Sequence, residues 1–131
     1  MKTNKIFVML IFMYFNLTFS QTTAKSTPQL ANQFIVEVFG ASIAKDSQHY
    51  KNLEKLLRER VVFVQEPMQE NEKFPKISQM QLFNKYNSNL ERDLVFEQAS
   101  FNVLKYDLNF FSPYTKVYRF DNSDWLIQIN P

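Results

Sequence analysis

The stretch from Lys116 to Pro131, KVYRFDNSDWLIQINP, restricts the fold more than any other part of the chain. Asp121, Asn122, Ser123 and Asp124 interrupt two runs rich in aromatic and β-branched residues. Such runs favour strands, while Asp, Asn and Ser reverse the backbone because their short side chains hydrogen-bond to nearby peptide groups. A turn centred between Asn122 and Ser123 sets Phe120 against Trp125, Tyr118 against Ile127 and Lys116 against Ile129 on one face. The other face then carries Arg119 with Leu126 and Val117 with Gln128, a mixed and more solvated set. A two-residue and a four-residue loop about the same centre give the same pairing, so the face assignment does not depend on turn type.

The acidic residues of the turn raise the question of chemistry. A calcium loop needs oxygen ligands spread over about twelve residues, a Gly at its sharp bend and a closing Glu. Here Trp125 and Leu126 intervene and no Glu follows. Asp121 and Asp124 at an exposed tip would also lack the burial that moves a carboxyl pKa into a useful range. The four residues are therefore expected only to bend the chain.

Upstream, Thr27 followed by Pro28 marks a helix start, and Leu30, Phe34, Val38 and Ala41 recur at helical spacing. This predicts a helix from about Pro28 to Ala44, with Gly40 as a weak point or an early end. A second helix, capped by Asp46 or Ser47, presents Tyr50, Leu53, Leu56 and Leu57 on one side, with Glu54 placed to pair with Arg58. Arg60 to Glu66 reads as a strand. From Pro67 to Phe101 the periodicity fades, yet apolar residues are too many for a disordered linker, so an irregular wrap over the core is expected. Leu104, Tyr106, Leu108 and Phe110 alternate with Lys105, Asp107 and Asn109, predicting a further strand. The fold class expected is α+β: two N-terminal helices packed on an antiparallel sheet of three to four strands, ending in a C-terminal meander or hairpin.

The opening MKTNKIFVMLIFMYFNLTFS has a basic start, an apolar run from Ile6 to Phe15 and a small-residue exit, the order of a secretory signal. The run falls well short of the roughly 20 residues that span a bilayer as a helix. Cleavage is expected after Ser20, with Ala24 as the alternative. That division gives a signal at 1–20, a flexible leader at 21–27 and a single domain at 28–131. Loss of Lys2 and Lys5 brings the 15 Lys and Arg residues level with the 13 Asp and Glu residues. A near-neutral chain is not built to hold nucleic acid or to be steered to an anionic membrane, and no stable insertion after cleavage is expected. With no cysteine to staple an exported domain, stability must come from apolar burial, for which 14 Phe, 6 Tyr and one Trp provide the material.

Candidate chemistry is thin. His49 is the sole histidine and Gly40 the sole glycine, so neither a histidine metal cluster nor a glycine-rich phosphate loop can be assembled, and no Ser sits in a nucleophile elbow. No catalytic residue, metal ligand or cofactor site is expected. The only Asn-x-Thr sequon, Asn16 to Thr18, lies within the signal. The ending Phe19, Ser20, Gln21 resembles that of exported flavobacterial proteins. The blocks FNKYNSNLERDLVF, FNVLKYDLNFFS and YRFDNSDWLIQI, between Phe83 and Ile129, are similar to a group of small secreted proteins of those bacteria and their relatives. The resemblance covers roughly the last third of the chain and carries over no catalytic residues.

The functional expectation is a non-enzymatic exported protein, a binding or structural module for a protein or cell-envelope partner. Lys85, Tyr86, Asn87, Asn89, Arg92 and Asp93 concentrate polar reach in the irregular segment and are the candidate contact residues. The alternative is a glycan-binding or glycan-cleaving protein that stacks sugars on Tyr106, Tyr114, Tyr118 or Trp125 beside a carboxylate pair. Exposed Tyr106 and Trp125 rings would favour it.

Overall fold

The computed structural model describes residues 21–23 and 26–131; the expected signal at 1–20 and its cleavage point lie outside them. The chain mixes two α-helices with an antiparallel sheet. Helix α1 spans Pro28–Phe39. The Thr27 hydroxyl accepts the Leu30 N–H at 3.2 Å, and Pro28 occupies the first turn, where its missing N–H removes no helical bond. Ala31, Ile35 and Val38 bury one stripe of α1.

The helix stops at Gly40 and does not run on to Ala44. Gly40 has φ 86° and ψ 162°, a region that only glycine enters without strain, and its N–H donates to Val36 O. The open space around it does not make it replaceable. Gly40→Ala is expected to cost about 1–3 kcal/mol from backbone strain, even though an added Cβ would meet nothing within 4 Å. Urea denaturation would measure the loss; an unchanged midpoint would mean that the helix end relaxes freely.

Helix α2 spans Gln48–Lys55, with the Ser47 hydroxyl accepting the Tyr50 N–H at 3.1 Å. It continues as a π-helical turn, Leu56–Arg60, in which both Leu56 and Leu57 are buried. The Glu54–Arg58 pair forms at 3.5 Å on the solvent side. The chain then passes directly into a strand.

The sheet comprises β1 (Gln21–Thr23), β2 (Val61–Gln65), β3 (Lys116–Arg119) and β4 (Trp125–Ile129), in the order β1-β2-β4-β3 and antiparallel throughout. Strands β2, β4 and β3 form its body. Residues 21–23, expected within a flexible leader, instead add an edge strand that pairs Gln21 with Val64. The hairpin register is the one set by the turn: Tyr118 lies opposite Ile127, Lys116 opposite Ile129 and Arg119 opposite Leu126.

One face of the sheet, carrying Phe63, Tyr118, Ile127 and Ile129, shares a core with Ala31, Ile35 and Val38 of α1 and Leu53 of α2. Burying each Val, Leu, Ile or Phe side chain among them stabilises the fold by about 1.5–3 kcal/mol. This is how a chain without disulfides holds. Val62, Val64, Leu126 and Val117 cluster separately on the opposite face.

The strand expected over Leu104 to Phe110 is not formed. Val103–Lys105 is a 3₁₀ turn, with the Asn102 carboxamide accepting the Leu104 N–H at 3.1 Å and donating to Phe34 O and Glu37 Oε2 at 3.0 Å each. Pairing is limited to one bridge between Leu82 and Tyr106, flanked by Phe83 N–H to Lys105 O at 2.7 Å and Asp107 N–H to Gln81 O at 2.8 Å. Leu104, Tyr106 and Leu108 are buried and Asp107 and Asn109 exposed, but Lys105, expected on the outer side, is buried with its amine on Asp93, and Phe110 is only half-buried. Alternation reports which side of a segment is covered; it does not report whether a strand lies alongside to share the ladder. The expected meander therefore reduces to the β3–β4 hairpin, and β2 supplies the third strand.

Candidate binding groove

The turn between β3 and β4 is a four-residue loop closed by Phe120 N–H donating to Trp125 O at 3.0 Å. Asn122 takes φ 53°, a left-handed conformation that Asn tolerates better than most residues. The Ser123 hydroxyl donates to Phe120 O at 2.7 Å and accepts the Trp125 N–H at 3.1 Å. Turn chemistry thus explains the local geometry, but the tip does more than bend. The Asp121 carboxylate accepts the Ser78 N–H at 2.9 Å and the Ser78 hydroxyl at 2.6 Å, clamping the hairpin to the segment 43 residues upstream. Partial burial would push the Asp121 carboxyl up, but the two Ser78 bonds and nearby Lys76 outweigh it and hold the carboxyl below the usual range. Asp121 is ionised at neutral pH and has no proton to give as a general acid.

Arg119, expected on the solvated side of the hairpin, is completely buried. Its guanidinium forms a bidentate pair with Glu72, with one arm at 2.9 Å, and donates to Glu66 O at 2.6 Å. The bonds from Arg119, together with its attraction and that of Lys76, overcome the burial penalty and hold the Glu72 carboxyl below its ordinary range. Glu66 and Glu72 are thereby both tied to the end of β3.

Tyr106 anchors a third tie. Its hydroxyl donates to Asp93 Oδ2 at 2.7 Å and accepts the Asp93 N–H at 2.8 Å, while Lys105 Nζ reaches the same oxygen at 3.1 Å. Arg92 donates to Met80 O at 2.6 Å. Both ends of this short stretch are fixed by hydrogen bonds, and the residues that follow project outward. Leu94 is 92 % and Val95 71 % exposed. Phe96 turns back to stack on the half-buried Trp125 ring, with centroids 5.0 Å apart.

The result is a groove of ≈ 670 Å³ between this loop and the hairpin tip. Phe96 and Trp125 form its apolar floor, Leu94 and Val95 one lip, and Asp121 and Asp124 the other. Asp124 is exposed. Such a cleft combines an aromatic anchor site with a few charged groups at its edge, Asp121, Asp124 and Arg92, the two features that orient a ligand.

The six candidate contact residues do not form a single surface. Arg92 and Asp93 line the groove but are committed to Met80 O and to Tyr106 and Lys105. Asn87 donates to Glu37 O at 2.8 Å and accepts the Asn89 N–H at 3.1 Å, so this pair shapes the backbone. Lys85 lies 5.4 Å over the Tyr86 ring, and Tyr86 lines a different, apolar pocket. The sequence places Leu94, Val95 and Phe96 only within the irregular wrap and Trp125 only on a face of the hairpin, with nothing to bring the four together. The available signal was position: Leu94 to Phe96 directly follow two charged residues in a stretch without periodicity.

Of the rings considered as sugar platforms, Tyr106 is fully buried and Tyr118 buried, leaving half-buried Trp125 and exposed Tyr114. Among the described residues, no three His, Asp or Glu side chains converge to hold a metal ion. No helix among them is long and apolar enough to cross a membrane. No family model, curated protein or solved structure matches the chain.

Proposed function

We propose that this chain is an exported, non-enzymatic binding module that holds a segment of a protein partner in the groove between residues 92–96 and the hairpin tip. The carrying observation is the nearly complete exposure of Leu94, with Val95, beside the Phe96–Trp125 floor. Holding two large apolar side chains in water at the lip of an aromatic cleft is the arrangement of a contact site, where aromatic anchors supply most of the binding energy. Asp124, whose carboxylate has no hydrogen bond or ion pair among the described residues, together with ionised Asp121 favours a segment in which an aliphatic or aromatic anchor is flanked by Lys or Arg. Export rests on the basic start and apolar run of residues 1–20. A glycan lying on Trp125 beside Asp121 and Asp124 is the competing occupant.

Because Trp125 is the only tryptophan, its emission reports on the groove alone. Peptides with an apolar anchor and Lys flanks are expected to shift it saturably, whereas Glu-flanked peptides and oligosaccharides are not. Leu94→Asp should weaken the response by roughly thirtyfold, the effect of losing one interface hot spot. A photo-crosslinker at Leu94 in producing cells should capture a discrete partner that one at Tyr114 does not. If Leu94→Asp binds the same peptides equally well, or if only oligosaccharides move the emission, the reading fails.

A further inference from the structure

A second cavity, of ≈ 260 Å³, opens on the other side of Tyr106. Phe39 at the end of α1 forms one wall with Phe83 and Tyr86, their ring centroids 5.5 to 6.0 Å apart. His49 meets the Phe39 ring edge-on at 5.2 Å. Phe110 and Phe111 line the facing side. This volume lies below the roughly 300–1,000 Å³ of sites for drug-sized molecules, which limits an occupant to a few heavy atoms beyond a compact head.

The charge at its edge fixes the sign of that head. Asp107 is exposed and lines the cavity; its N–H is used by Gln81 O, but its carboxylate has no hydrogen bond or ion pair among the described residues. Ring faces carry negative potential and attract cations, most strongly where water is excluded. The chain already uses two of these rings so: Lys85 lies 5.4 Å over Tyr86 and Arg60 5.7 Å over Phe111. Neither cation lines the cavity, and the Arg60 guanidinium is further spent on Asn130 O and Phe110 O, each at normal or short hydrogen-bonding distance. The groups that line the cavity are therefore aromatic rings, Leu53 and Leu104, a histidine and one free carboxylate.

We propose that this pocket binds a small organic cation with an alkylated ammonium head, the rings enclosing the methyl groups and Asp107 balancing the charge. The site is separate from the groove and does not depend on the groove's occupant. His49, the sole histidine, supplies a single imidazole NMR signal at the pocket wall, while Trp125 emission reports on the groove.

Choline and its uncharged isostere 3,3-dimethyl-1-butanol separate charge from shape. Choline is expected to move the His49 signal saturably and to bind at least roughly tenfold more tightly than the isostere, the margin a partly desolvated cation–π site provides. Trp125 emission should not change. Asp107→Asn, a surface change that keeps the fold, should weaken choline by several-fold and leave the isostere unaffected. Equal binding of the two probes, no saturable shift up to about 10 mM choline, or tighter binding of phenylacetate than of choline would each overturn the proposal. The last result would mean that Lys85 and Arg60 set the sign of the site.

Discussion

Glu72→Ala is expected to lower stability by about 3–5 kcal/mol, because it leaves a buried guanidinium without its counter-charge. The Arg119 side chain is 1 % exposed and that of Glu72 10 %, so water cannot replace the lost carboxylate without opening the structure. The remaining acceptors, Glu66 O and Ser123 O, are neutral, and the latter lies at 3.4 Å. Replacing both partners, Glu72→Leu with Arg119→Met, should recover most of the loss, since a buried ion pair and a well-packed apolar pair of similar volume are often close in free energy. Urea denaturation of the native chain, both single variants and the double variant gives the coupling directly. A Glu72→Ala loss below about 1 kcal/mol would mean that the pair behaves as a solvated one.

The same pair carries a pH signature. Arg119 holds the folded-state carboxyl of Glu72 below its ordinary value of 4.5, so the folded state binds a proton there less readily than the unfolded chain. The linked stability is present above pH 4.5 and is lost as pH falls through the lower folded value. The gap between native and Glu72→Gln stability should therefore be widest at neutral pH and narrow below that point.

The second large effect is expected at Tyr106. Truncation to alanine should cost about 3–5 kcal/mol, the usual range for emptying a buried aromatic site. Its ring stacks on Phe101 with centroids 5.7 Å apart and separates the two cavities. Tyr106→Phe isolates the hydroxyl: it leaves the Asp93 N–H without its acceptor and should cost about 1–3 kcal/mol. Burial, and the adjacent Asp93 carboxylate, raise the Tyr106 pKa above 10.0. Stability from the neutral phenol is thus intact below pH 10.0 and declines as pH rises toward the folded value.

Tyr106→Phe also connects stability to binding. The hydroxyl pins the backbone from which Leu94 and Val95 project, so its loss should weaken groove ligands even where the protein remains folded. Thermal denaturation and Trp125 titration on one sample separate the two consequences. Unchanged affinity with reduced stability would restrict Tyr106 to a core role.

What could be read from the sequence was set by neighbours along the chain. Thr27 and Ser47 cap helices through N–H groups three residues on, Gly40 ends a helix by its own backbone freedom, and the residues from Asp121 to Asp124 fix the hairpin register. Each depends on short-range geometry that residue type nearly dictates. The burial pattern of Leu104, Tyr106 and Leu108 was likewise legible, whereas the absence of a flanking strand was not.

The groove and its supports were decided by partners far away in the chain. Arg119 meets Glu72 across 47 residues, Asp121 meets Ser78 across 43, and Asn102 reaches Phe34 across 68. A guanidinium, a carboxylate or a carboxamide has many chemically equivalent partners in any sequence, and only the packed core determines which one comes within 3 Å. For the same reason the sequence cannot distinguish Leu94 and Trp125 from core residues: apolarity says that a side chain gains from leaving water, and the three-dimensional arrangement alone determines whether the protein itself supplies the cover.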